Sequence, residues 1–176
     1  AGVLLALVYP WMKSHHLGDL NILVSFALLP ALGTFFVAAG CYDPQSLLMI
    51  LPIGLITVAI LHANNTRDVK TDRLAGLGTI TTSVSLMNAK AIYTFEIFAP
   101  YALALLYVVL LGQPWTLLAV VLTLPLALRN VRTMIQAEDD LPYRGIQRLD
   151  QTTAQLQMGF GLLYALGFFL GSWLGV

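Results

Sequence analysis

A chain of 176 residues that is 58% hydrophobic, only 10% charged and of mean hydropathy +0.79 is not composed like a soluble domain. Nine basic and nine acidic side chains cancel, so a nucleic-acid role has no electrostatic support. The single cysteine, Cys41, excludes an intrachain disulfide and forms no metal-binding pattern.

Ala1 to Tyr9 is apolar but only about 14 Å long as a helix, too short to span. It has no initiator methionine, basic leader or cleavage motif, so it does not read as a signal peptide. The simplest expectation is a chain that begins partway through a transmembrane helix. Apolar runs follow at roughly 20–40, 46–63, 84–111, 115–131 and 154–175, most of them long enough to cross ~30 Å of hydrocarbon. Short polar turns such as Gly40-Cys41-Tyr42-Asp43-Pro44 and Gly112-Gln113-Pro114 separate them. Lipid offers the backbone no hydrogen bonds, so such runs are helices rather than strands. Pro30, Pro52, Pro100 and Pro125 fall inside them and are expected to kink them. The fold expected is an all-α integral membrane bundle of one partial and five complete transmembrane helices.

Threading the runs as alternating crossings puts every basic residue at or near one face: Lys13, Arg67, Lys70, Arg73, Lys90, Arg129, Arg132, Arg144 and Arg148. The turns 41–45 and 112–114 contain none. By the positive-inside rule the basic face is cytoplasmic, or its organellar equivalent. The polar loops 64–83 and 132–153 then share that face with the connection 12–19.

One polar island stands out, running from His62 to Arg73. Its twelve residues hold two acids, three bases, two asparagines and a histidine. Asp68 and Asp72 are four apart, so on a helix their carboxylates share a face. Like charges at that spacing repel unless a cation lies near them. Mg²⁺ takes one or two carboxylates together with phosphate oxygens, and the interleaved bases suit the same phosphates. The stretch looks like a magnesium–diphosphate site at a membrane surface.

The string Asn64-Asn65-Thr66-Arg67-Asp68-Val69-Lys70-Thr71-Asp72-Arg73-Leu74-Ala75-Gly76 resembles the second aspartate-rich motif of the UbiA superfamily of membrane prenyltransferases. Its pattern, N-N-x-R-D-x-x-x-D-[RK]-x-x-G-x-x-T, is similar to that of the 1,4-dihydroxy-2-naphthoate prenyltransferases of menaquinone, phylloquinone and vitamin K2 synthesis. Leu17-Gly18-Asp19 opening a span, Gly76 and Thr79 after the acids, and Leu141-Pro142-Tyr143-Arg144 before the last span recur at matching places. The resemblance implies a fold of nine helices around a central cavity, of which residues 1–176 would form the C-terminal part, the fourth to ninth helices. It implies a polyprenyl diphosphate donor, an aromatic acceptor and a lipid bilayer as partners, with Mg²⁺ as cofactor. Asp68 and Asp72 would hold the metal, with Arg67 as a third catalytic residue. Asn64, Asn65, Lys70 and Arg73 would bind substrate. Family members also carry a first aspartate motif, N-x-x-x-D-x-x-x-D, which nothing in this sequence matches. On that resemblance this chain alone is expected to be inactive, and to need a missing N-terminal half or other membrane subunits to complete the site.

Other polar residues have readings of their own. Glu96 lies within a span, where an acid is a functional candidate by default; we read it as structural, snorkelling or paired with Lys90. His15 and His16 read as interfacial loop residues. His62 either orients an asparagine or the acceptor, or is structural. Arg129 and Arg132, three apart on one helix face, either anchor a helix end at lipid headgroups or bind a substrate carboxylate or diphosphate. Glu138-Asp139-Asp140 reads as a solvated loop. Thr153-Ala154-Gln155-Leu156-Gln157 is similar to a family segment that borders the cavity, and Trp11, Trp115 and Trp173 read as interface anchors.

Two functional hypotheses follow. One is an aromatic prenyltransferase of quinone synthesis, acting on 1,4-dihydroxy-2-naphthoate or on another aromatic acceptor. The other is a non-catalytic membrane subunit derived from that family and held in a larger assembly.

Overall fold

A computed structural model describes residues 2–138 and 144–176, and every regular element in them is helical. The motif residues Leu141, Pro142 and Tyr143, and the acids Asp139 and Asp140, lie outside the described residues.

Among the described residues, five helices are long and apolar enough to cross a membrane: Gly18–Ala39, Pro44–Arg67, Leu86–Leu111, Trp115–Ile135 and Leu149–Leu174. They match the five apolar runs read from the sequence, and the protein is an integral, multi-pass membrane protein. A shorter helix, α1 (Gly2–Ser14), precedes them and continues through Pro10 beyond its apolar run.

The prolines act in two ways. Pro52 and Pro100 lie inside the long helices α4 (Pro44–Arg67) and α7 (Leu86–Leu111), between which come two short helices, α5 (Val69–Leu74) and α6 (Ile80–Ser83). Pro30 and Pro125 instead sit where the helix changes type. The first span begins as α2 (Gly18–Leu23), passes through a π-helical turn at Val24–Leu28, and resumes as α3 (Leu29–Ala39) with Pro30 in its first turn. The fourth begins as a 3₁₀ helix over Trp115–Thr123 and becomes α8 (Leu124–Ile135), with Pro125 in its first turn. Proline has no N–H to give to the preceding turn, so a change of hydrogen-bond register there loses less than it would elsewhere.

The turns are built conventionally. Asp43 caps α4 by accepting from the Gln45 N–H at 3.0 Å, and Ser85 caps α7 by accepting from Asn88 at 3.2 Å. Gly40 and Gly112 close α3 and α7 in the left-handed conformation that glycine adopts without penalty.

The fifth span, α9 (Leu149–Leu174), lies against the 3₁₀ stretch at very short range. A Cβ on Gly167 would stand 2.8 Å from the Thr116 carbonyl oxygen, and one on Gly171 only 2.2 Å from Pro114 Cβ. Gly167 and Gly171, four apart, let two backbones meet, and the Thr116 hydroxyl donates to the Gly167 carbonyl at 2.6 Å.

Hydrogen bonds between spans fix which helix ends lie together. At one end Tyr107 and Tyr164 donate to the carbonyls of Leu48 and Met49, at 2.6 and 3.0 Å. At the other, Lys90 Nζ donates to the Ala137 carbonyl and the Tyr93 hydroxyl meets Thr153 Oγ1, both at 2.6 Å. Adjacent spans therefore run up and down as threaded. The second end also carries Arg67 beside Asp150, in keeping with the grouping of basic residues read from the sequence. Lys90 is not paired with Glu96, which corrects that alternative: its ammonium turns to the end of α8, while Glu96 faces into the bundle toward His62.

Candidate functional site

The polar island begins as helix. α4 continues through Asn64, Asn65, Thr66 and Arg67, and the chain then turns at Asp68 into the short helix α5 (Val69–Leu74). Asp68 is the joint, with φ −94° and ψ 6°. The Asp72 N–H still donates to the Asp68 carbonyl at 2.9 Å, so the two acids remain one helical turn apart across the bend.

The bend separates their environments. Asp72 is 8% exposed, and its Oδ2 is buried without a hydrogen-bond partner. Asp68 is partly exposed and engaged on both oxygens by Arg67: Nε to Oδ1 at 2.9 Å and Nη2 to Oδ2 at 3.0 Å. The same guanidinium donates through Nη1 to Asp150 Oδ2 at 2.7 Å and through Nη2 to Asn64 Oδ1. Arg67 thus gathers Asn64, Asp68 and Asp150 around one planar cation, using the fork that lysine lacks. Asp150 lies in the first turn of α9, where a carboxylate suits the helix dipole. It was not among the residues expected at the site. An acid just ahead of an apolar run was the available signal, and pairing it with Arg67 needed the fold.

The remaining expected residues divide. Asn65, like Asp72, is buried with a side-chain oxygen unpartnered, its Oδ1. Lys70 and Arg73 are exposed on α5, and Arg73 Nη2 reaches the Thr82 carbonyl at 3.4 Å. Arg129 and Arg132 are exposed on α8, and among the described residues neither pairs with the motif. The side chain that α8 turns inward there is Asn130, 1% exposed with its Nδ2 unpartnered.

Buried carboxylate and amide oxygens with no partner inside the chain are unusual, and they suit a hard cation. Asp72 Oδ2 and Asn65 Oδ1 therefore fit a Mg²⁺ ligand set. Asp68 fits if it shares its carboxylate with Arg67.

Two apolar cavities lie along α4 from this polar end. A cavity of about 290 Å³ is lined by Asn64 and Asp150 together with Thr57, Ile60, Leu61 and Phe26. Phe26 also lines a larger cavity of about 760 Å³, bordered by Pro30, Thr34, Met49, Ile53 and Tyr164 among others. The two extend along α4 from the motif toward the opposite helix ends. Gln157, in the segment expected to border a cavity, donates to Thr57 Oγ1 at 2.6 Å beside the smaller one.

The histidines are also placed. His16 is exposed and ties the first connection to the segment after α5, with Nδ1 3.1 Å from the Thr79 carbonyl. His62 is wholly buried and faces Glu96 and Asp19.

The model of the UbiA prenyltransferase family matches residues 1–144. Curated relatives are each named UbiA prenyltransferase domain-containing protein 1 or its homolog. The chain is 34% identical to that of Xenopus tropicalis over 158 residues, covering 88% of this chain and 42% of the relative. It is 32% identical to that of Homo sapiens over 155 residues, 88% of this chain and 43% of the relative. The Drosophila melanogaster homolog is 35% identical over 156 residues, 85% and 40% of the two chains. The chain thus spans roughly two-fifths of the length of these relatives. With Asn64 of the aspartate motif lining an apolar cavity and a family match across most of its length, this chain belongs to the UbiA prenyltransferase family.

Proposed function

We propose that the protein transfers a polyprenyl group from its diphosphate to an aromatic acceptor, 1,4-dihydroxy-2-naphthoate, in quinone synthesis. The observation that carries this reading is the Arg67 cluster, whose Asn64 and Asp150 line the polar end of an apolar cavity, with the unpartnered oxygens of Asp72 and Asn65 in the same segment. A diphosphate head needs cations and a metal; its polyprenyl tail needs an apolar channel. The cavities supply the second within one helix length of the first.

Asp68 and Asp72 would hold Mg²⁺, with Asn65 offering a neutral oxygen, and the bound ion would neutralise charge developing on the leaving diphosphate. Arg67, already fixed by Asp150 and Asn64, presents a guanidinium at the polar end without further ordering. Lys70 and Arg73, exposed on α5, are placed to add charge-assisted bonds to phosphate oxygens. Arg129 and Arg132 stand on α8 at the same end and would meet an anionic acceptor as it enters. The allylic C–O bond breaks with its electron pair leaving on the diphosphate. The ring carbon bearing the carboxylate forms the new C–C bond, and carbon dioxide departs, returning its bonding pair to the ring. The apolar walls keep water from the allylic cation, and Phe26 offers aromatic surface nearby.

The test is turnover by the intact gene product in lipid, offered one prenyl diphosphate with the naphthoate or with 4-hydroxybenzoate. The 2-prenylated naphthalene-1,4-diol, with release of carbon dioxide and diphosphate, is expected. Turnover of the hydroxybenzoate alone would move the protein to another acceptor branch. Turnover of neither would leave the non-catalytic membrane subunit.

A further inference from the structure

Asp19, His62 and Glu96 come from three different helices, α2, α4 and α7, and converge inside the bundle. One ligand atom from each lies within 4.8 Å of the other two. His62 is 0% exposed, Glu96 is 5% exposed and Asp19 is half-buried. Neither ring nitrogen of His62 has a hydrogen-bond partner, and Glu96 Oε2 has none. Leaving these three atoms of His62 and Glu96 unmet in the interior of a membrane bundle is costly, whether the groups are charged or neutral.

The charge count points the same way. Among the described residues, the ion pairs are His62–Glu96, Arg67–Asp68 and Arg67–Asp150, so neither acid of the cluster has a Lys or Arg partner. With both carboxyls ionised the cluster carries two negative charges when His62 is neutral and one when it is protonated. A divalent cation cancels two. Imidazole nitrogen beside carboxylate oxygens is a donor set suited to Zn²⁺ and its first-row neighbours, whereas Mg²⁺ prefers oxygen alone. His62 Nδ1 and Glu96 Oε1 stand 3.6 Å apart. Two ligands of a tetrahedral ion at bonds of ~2.1 Å would stand about 3.4 Å apart.

We propose that Asp19, His62 and Glu96 form a site for a zinc-class divalent ion, separate from the aspartate motif. Three protein donors leave a fourth position for water or a substrate oxygen, the arrangement of sites that polarise a bound group rather than only brace a fold. The site does not depend on the function proposed above, since none of its three residues belongs to the motif that carries that reading.

The experiment uses the intact protein purified in lipid nanodiscs, stripped with chelator, then titrated with Zn²⁺ and separately with Co²⁺ as a coloured substitute. One equivalent of Zn²⁺ is expected to bind, raising Tm, and Co²⁺ is expected to give visible absorption of a low-coordinate N/O site. Glu96→Gln keeps the shape of the side chain and should lower Zn²⁺ affinity at least 100-fold and abolish the Tm rise. Asp19→Asn, at the partly exposed edge, should do the same in smaller degree and serves if the first variant does not fold. Asp68→Asn with Asp72→Asn should leave Zn²⁺ binding intact. Failure of the wild-type protein to take up Zn²⁺, or uptake unchanged by both Glu96→Gln and Asp19→Asn, would overturn the proposal and leave a protonated His62 shared between two carboxylates.

Discussion

Arg67 at the end of α4 donates to Asp150 at the start of α9, 2.7 Å away, and the same guanidinium holds Asp68. One side chain thus couples the aspartate motif to the last span. Arg67→Ala leaves two carboxylates facing each other at the polar end of the cavity. A partly exposed pair contributes only about 0.5–1 kcal/mol to stability, so folding should change little. On the proposed function, prenyl transfer by the intact gene product should instead fall by 100-fold or more, with a higher KM for the prenyl diphosphate. Arg67→Lys should rescue poorly, because an ammonium cannot serve Asn64, Asp68 and Asp150 at once. Steady-state kinetics on both variants, beside their melting curves, separates the two effects.

Asp72 differs from Asp68 in being buried with an unmet oxygen. Asp72→Asn removes a charge that the chain itself does not neutralise, so Tm measured without Mg²⁺ should hold or rise slightly. Prenyl transfer should nonetheless fall by at least two orders of magnitude, since the lost interaction acts on charge that develops as the C–O bond breaks. A wild-type rate in the Asp68→Asn, Asp72→Asn double variant would reduce the pair to an ordinary charged helix end.

Phe26 lines both cavities. If the prenyl tail occupies this space, Phe26→Trp should narrow it and shift preference toward shorter diphosphates, while Phe26→Ala should relax it. Competition between donors of different length, read by mass of the product, checks the direction. Equal profiles for both variants would place the tail elsewhere.

Gly167→Val puts a branched side chain where the Thr116 carbonyl already stands 2.8 Å from a bare Cβ position. Overpacking of this kind costs about 1–3 kcal/mol. The expected result is a lower Tm in detergent. Gly33→Val, where a Cβ meets nothing within 4 Å, should have little effect.

Cys41 is exposed in the turn after α3, at the end opposite the motif. In sealed, oriented vesicles an impermeant maleimide should label Cys41 from one side only, and a C41S/K70C variant from the other. Labelling of both from the same side would break the alternation of spans.

Much of this architecture was legible in the chain. Apolar runs set the five spans because lipid imposes one rule on the whole backbone. The grouping of basic residues gave the shared end before any helix was placed. What could not be read was local register: nothing in Val24–Leu28 or Trp115–Thr123 announces a π or a 3₁₀ turn except the prolines that follow. The close approach at Gly167 and Gly171 had a signal, small residues four apart, that composition alone does not turn into a partner. Within the site, Asp68 and Asp72 were legible as a pair, but their unequal burial depends on a bend at Asp68 that helical periodicity does not encode. The partners of Asp150 and Glu96 were unreadable for a simpler reason: Arg67 and His62 are distant in sequence, and only the folded bundle brings them near.

The 3₁₀ stretch changes how the fourth span measures itself against the bilayer. At about 2.0 Å per residue rather than about 1.5, its nine residues add roughly 4–5 Å of height over an α-helix of the same sequence. The span of 21 residues thereby reaches roughly 36 Å, close to the height of the 26-residue helices beside it, without an added residue or a steeper tilt. Pitch here does the work of length. A reversion of Trp115–Thr123 to α-helix would pull Trp115 inward by that same distance, so bilayer thickness and helix type are linked in this segment, with thin membranes favouring the shorter form.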